Sequence, residues 1–273
     1  MIYNFFTYPL HIIKFLEIFL SISLLLSSLQ HLKNIHCFSP QGLLPWHILK
    51  RKNIYKRFRS ERFSFFFGER CMLLLNIFRI LLLPLFIFSE KEELYFLTLV
   101  ILTVITYTIY LRSSLMSNAA DQMNNIILTA LIISHLLARY TSGNIIIYFF
   151  ALLLIISYFT SGLLKVHEAN WRNGVYLKQV LITRNFGNPI LLKSLNTIDI
   201  KVFRVLSQIV IIWQISSFLT PFLPLVIFYC YLFVALGFHL ATGLLLRLNG
   251  FIWTFTGLLP ALIYLHANIY PYL

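Results

Sequence analysis

Eight runs of mostly apolar residues divide this chain, each about as long as the helix needed to cross the ~30 Å hydrocarbon core of a bilayer. They cover residues 12–29, 72–88, 94–111, 124–140, 145–164, 202–220, 224–246 and 250–268. Lipid offers no partner to an open strand edge, so each run is expected to close its own backbone hydrogen bonds as a helix. The spacing predicts an all-α polytopic membrane helix bundle of about eight transmembrane helices, a single transmembrane domain over residues 1–273. Composition leads the same way. With 59% hydrophobic and only 11% charged residues, the chain is too apolar to stay in water as a globule. Its 273 residues suffice for such a bundle, but not for a bundle and a large soluble domain together.

The first run has the position of a signal peptide. Lys14 and Glu17 interrupt its start, however, and no small-x-small site follows Ser27, Ser28 and Leu29, so it is expected to stay as the first span. Cys37, Cys71 and Cys230 are scattered, without a CxxC or a His/Cys metal spacing, and no metal site is expected. Positive charge is concentrated in the 30–70 loop. Nine Lys or Arg lie between Lys33 and Arg70, including KRKNIYKRFRSER (Lys50–Arg62), against Glu61 and Glu69. Beside membrane spans this reads as a cytoplasmic loop facing anionic lipid rather than as a nucleic-acid patch. Later loops alternate accordingly: SEKEE (Ser89–Glu93) is acidic, the 112–123 loop carries Arg112, and 165–201 carries six Lys or Arg. The rule therefore predicts the basic loop inside and both termini outside.

Parity groups the polar residues whichever face that is. Loops after the first, third, fifth and seventh spans share one side. This collects Asp121, Asn124 and Asn125 at the start of the fourth span, and Lys165, His167, Glu168 and Trp171 at the end of the fifth. Arg247 and Asn249 join them from the last hairpin, and His239 lies two turns before Arg247, about 12 Å along the helix. Ionisable groups in hydrocarbon are costly unless they meet partners or water, so a cluster drawn from several spans is a candidate site. Each member also has a plainer reading. Lys165 can snorkel to the headgroups beside a belt tryptophan, Trp171. His239 can bond a neighbouring helix, with Gly237 and Gly243 letting that helix approach. Asp121 and its neighbours can cap the fourth span. Arg79 and Arg204, within or near the start of their spans, are expected to face the bundle or a headgroup.

The segment YFTSGLLKVHEANWRNG (Tyr158–Gly174) resembles a signature of the vitamin K-dependent gamma-carboxylase superfamily, whose bacterial members are called HTTM (horizontally transferred transmembrane) proteins. FSPQGLLPW (Phe38–Trp46) resembles the family's turn after the first span, and DQMNN (Asp121–Asn125) its Asn-rich span start. GFHLATG (Gly237–Gly243) with FIWTFTGLLPALIYL (Phe251–Leu265) resembles its Phe-His span and aromatic last helix. Departures are local: Leu164–Lys165 stands where the family has paired lysines, one extra residue precedes Trp171, and MNNII lacks a histidine after the asparagines. The resemblance implies a bacterial inner-membrane protein using a reduced quinone, with Lys165 as the base that deprotonates it. It implies Asn124 or Asn125 as the oxyanion donor, and His239 as polar support. It also implies that the site faces outside the cytoplasm, opposite to the charge rule. Two functions follow. One is an enzyme acting on a lipophilic quinol or lipid-linked substrate. The other is a non-catalytic membrane component that binds, or helps mature or export, a small partner peptide, the expectation that goes with a bundle lacking the animal enzymes' large substrate domain.

Overall fold

The computed structural model describes residues 8–51, 67–113, 117–137, 144–183 and 192–270. Most of the Lys50–Arg62 stretch, and Arg139, lie outside the described residues. Every long apolar run folds as a helix. In chain order these are α1 (Pro9–Lys33), the short α2 (Trp46–Leu49), α3 (Glu69–Phe88), α4 (Glu92–Arg112), α5 (Ala119–Leu137) and α6 (Asn144–His167). There follow three short helices, α7 (Ala169–Arg172), α8 (Val175–Ile182) and α9 (Leu192–Thr197). The last three are α10 (Ile200–Ile215), extended by a 3-10 turn through Phe222, α11 (Leu225–Leu246) and α12 (Asn249–Ile269).

Among the described residues, seven helices are long and apolar enough to cross a membrane: α1, α3, α4, α6, α10 with its 3-10 extension, α11 and α12. The expected fourth span falls on α5, which is not one of the seven. Its first two turns spend Asp121, Gln122, Asn124 and Asn125 where the other helices are apolar.

The helix ends follow from local chemistry. Pro9 opens α1, where its missing N–H is no loss. The Asp199 carboxylate accepts from the Lys201 N–H at 2.8 Å and starts α10. At α5 the Asn118 side chain accepts from the N–H groups of Ala120 and Asp121, while the Asp121 carboxylate accepts from the Asn118 N–H at 2.9 Å. That is a reciprocal capping box. The two charges that interrupt the first run neutralise one another one turn apart: Lys14 Nζ donates to Glu17 Oε2 at 2.8 Å.

The chain forms two compact units, residues 20–139 and residues 1–19 with 140–273. In the first, α4 packs against both α3 and α5. In the second, α6 packs against α10 and α12, and α11 lies along α12. The turn after α6 folds α7 and α8 back onto α10.

Candidate functional site

The larger unit holds Lys165, three residues from the C-terminal end of α6. Its amine is half-buried and turns back along its own helix, donating to the Ser161 hydroxyl at 2.5 Å and the Ser161 carbonyl at 3.2 Å. It also stands 5.3 Å from the centroid of the Trp171 ring, within reach of a cation–π contact. Trp171 is kept there by α7. Its carbonyl accepts from Ser207 of α10 at 2.6 Å, and its ring meets Tyr176 edge-on. Arg172 donates from Nη1 to the Val166 carbonyl at 2.5 Å and to the His167 carbonyl at 3.4 Å, covering acceptors that the end of α6 leaves open. Gly174 then takes φ 76° against the backbone of Phe203 and Arg204, so the close turn onto α10 needs a residue without a Cβ. His167 and Glu168 are exposed, and the Glu168 carboxylate accepts from Asn170 at 3.4 Å.

His239 lies in the core of the same unit, 1% exposed. Its Nε2 and the Tyr158 hydroxyl of α6 are 2.5 Å apart, and its ring stacks on Phe255 at 4.8 Å. Tyr158 in turn packs on Trp213 at 4.9 Å, and Trp213 on Phe238 at 5.1 Å. Four helices thus build an aromatic box around one hydroxyl–imidazole pair. His239 Nδ1 and Trp213 Nε1 are buried there without a hydrogen-bond partner. Among the described residues Lys165 and His239 share no hydrogen-bond or ring partner. Of the flanking glycines, Gly243 is covered by Ile252, whereas Gly237 faces open space. Arg247 and Asn249 are exposed. Arg247 ends α11 in the left-handed conformation at φ 58°, and Asn249 begins α12.

The asparagines belong to the smaller unit. Asn124 is buried and donates to the Ser23 hydroxyl at 3.0 Å. Asn125 is 3% exposed, and neither atom of its amide has a hydrogen-bond partner. Asp121 works in the capping box and also interacts electrostatically with Arg79.

Two buried arginines of this unit dominate its polar interior, and sequence reasoning gave neither its partners. Arg79, 2% exposed in α3, donates from Nε to Ser28 at 2.6 Å and from Nη2 to Ser27 at 3.2 Å and Asn76 at 3.4 Å. Arg112, expected as a loop charge, is fully buried. It donates to the carbonyls of Phe67 at 2.7 Å, Leu44 at 2.5 Å and Phe38 at 3.4 Å, and its guanidinium covers the Phe38 ring. It thereby ties both ends of the FSPQGLLPW turn to the end of α4. The only signal for either was an ionisable residue at the edge of, or inside, an apolar run. Arg204, by contrast, is exposed on α10. Among the described residues no group of His, Cys, Asp and Glu could hold a metal ion.

The chain matches no family model, no curated protein and no solved structure. What the structure identifies is a multi-pass integral membrane protein whose described residues form helices and no strand.

Proposed function

We propose that this protein is an HTTM-like enzyme of a bacterial inner membrane that acts on a lipophilic quinol or lipid-linked substrate, with Lys165 as the base. One observation carries the reading. The Lys165 amine is half-buried at a helix end and touches only a hydroxyl, a carbonyl and an indole, with no carboxylate among the described residues to hold it charged. A general base must be able to give up its own proton first, and lysine, unlike arginine, can do so. The ring cluster around His239 would offer a hydroxyaromatic group faces to stack on. Beside those faces lie two buried polar atoms that lack partners, His239 Nδ1 and Trp213 Nε1. A quinol supplies an acidic hydroxyl. Lys165 would take that proton, the rings of the box would orient the group, and His239 and Trp213 would bond its oxygens.

The second reading is a non-catalytic membrane component serving a small peptide partner. The Trp171 ring favours it, because a π face attracts an ammonium rather than a neutral amine. Arginine separates the two: it stays charged and stacks on indole, but cannot act as a base. The enzyme reading expects Lys165→Arg and Lys165→Ala to lose all turnover of a reduced short-chain naphthoquinone in nanodiscs, at normal membrane abundance. Retained turnover or cellular function in Lys165→Arg would remove the base and leave the component. Orientation has its own test. Labelling of a cysteine placed at Ser60 by a membrane-impermeant reagent in intact cells would put the basic loop outside.

A further inference from the structure

In the larger unit, the first half of α10 presents a face that the described residues leave uncovered. Phe203, Ser207 and Gln214 are buried and hold the helix against its neighbours. Lys201, Arg204, Val205, Gln208 and Ile212 fall on the opposite side of a 3.6-residue helix, and all five are exposed. This face changes character along its length. It starts with two cations three residues apart, close enough for both side chains to reach one group. Among the described residues, neither Lys201 nor Arg204 has a hydrogen-bond or ion-pair partner for its side chain. Apolar surface follows. Val205 is 55% exposed and Ile212 68%, the latter about 16 Å along the helix from Lys201.

The complement of such a face is a molecule with an anionic head and an apolar tail. Because α10 is one of the helices able to cross a membrane, phospholipid is at hand. The surrounding charge selects among headgroups. Of the eight Lys or Arg in residues 140–273, seven lie between Lys165 and Arg204, against Glu168 and Asp199 alone. Asp199 spends a carboxylate oxygen on the Lys201 N–H. A zwitterionic headgroup would carry its own cation into this positive field, whereas a headgroup of net negative charge would not. We infer that this face of α10 binds an anionic phospholipid, with the phosphate on Lys201 and Arg204 and an acyl chain along Val205 and Ile212. The long stems of both cations let their charged ends reach the headgroup level while the helix continues into hydrocarbon. The site shares no residue with the Lys165 neighbourhood, so it stands or falls apart from the proposed base.

The test places the photoreactive amino acid benzoylphenylalanine at Ile212 of the full chain, in nanodiscs of equal parts dioleoyl phosphatidylglycerol and dioleoyl phosphatidylcholine. Irradiation fixes the lipid that lies on the face, and mass spectrometry of the adduct identifies it. Phosphatidylglycerol adducts should outnumber phosphatidylcholine adducts about tenfold. If that variant fails to fold, the same amino acid at Val205 reads the same lipid. At Phe233 of α11, which is 77% exposed and fourteen residues from Arg247, the nearest Lys or Arg in sequence, both lipids should react equally. Lys201→Gln combined with Arg204→Gln should bring the ratio at Ile212 close to one. The charge-keeping pair Lys201→Arg with Arg204→Lys should retain most of the bias. An even ratio at Ile212, the same bias at Phe233, or a bias that survives removal of both charges would overturn the proposal.

Discussion

Lys165 and Arg79 are both cations in apolar helices, and their surroundings have little in common. Lys165 stands at a helix end and finds its partners within six residues, one turn back at Ser161 and just ahead at Trp171. Arg79 stands in mid-helix and depends on Ser27 and Ser28, more than fifty residues earlier, to cover its guanidinium. Position along the helix accounts for the contrast. Near an end, a long side chain can bend toward the interface and settle for local contacts. In mid-helix only neighbouring helices can supply the missing acceptors, and the charge becomes a condition on how those helices assemble.

If that distinction holds, removing each group should cost in proportion to how far its partners have travelled. Arg79→Ala should be the most damaging change, because it strands the polar groups of α1 and α3 and leaves the Asp121 charge without compensation. A loss of about 3–5 kcal/mol is expected, visible as a collapse of membrane abundance and of the thermal unfolding midpoint. Gly174→Val comes next. It forces a β-branched residue into φ 76° against the backbone of α10, and about 2–4 kcal/mol should be lost. Detachment of α8 should follow, read as faster hydrogen exchange over Val175–Ile182 with the exchange of α12 unaltered. Tyr158→Phe leaves His239 without its partner, for about 1–2 kcal/mol by thermal unfolding. Lys165→Ala should change stability by less than about 1 kcal/mol. A Lys165→Ala loss as large as that of Arg79→Ala would break the comparison outright.

The same distance governs what could be read from the chain alone. Apolar runs place the long helices because the signal is local and repeated. The capping box at α5 was legible from Asn118 and Asp121, which stand three apart. The Lys165–Trp171 neighbourhood was legible for the same reason. The fourth span was harder, since this helix buries Asn124 against Ser23 and spends polar residues where the other long helices are apolar. His239 does bond a neighbouring helix, but its partner, the Tyr158 hydroxyl, stands 81 residues away, where nothing local points to it. Arg112 reads as a loop charge because nothing near it in sequence reveals the carbonyls it holds. Pairings of this kind depend on which helices become neighbours, and helix periodicity carries no information on that.

Those carbonyls give Arg112 a place in time as well. Phe38, Leu44 and Phe67 precede it by 74, 68 and 45 residues. At ordinary rates of synthesis the turn after α1 therefore leaves the ribosome on the order of seconds before the side chain that fastens it. Until the end of α4 emerges, the turn lacks the donor its carbonyls require, and α3 and α4 must both be made first. The last residue of the α3–α4 hairpin thus acts as a latch, closing the beginning of the protein only once that hairpin has been completed.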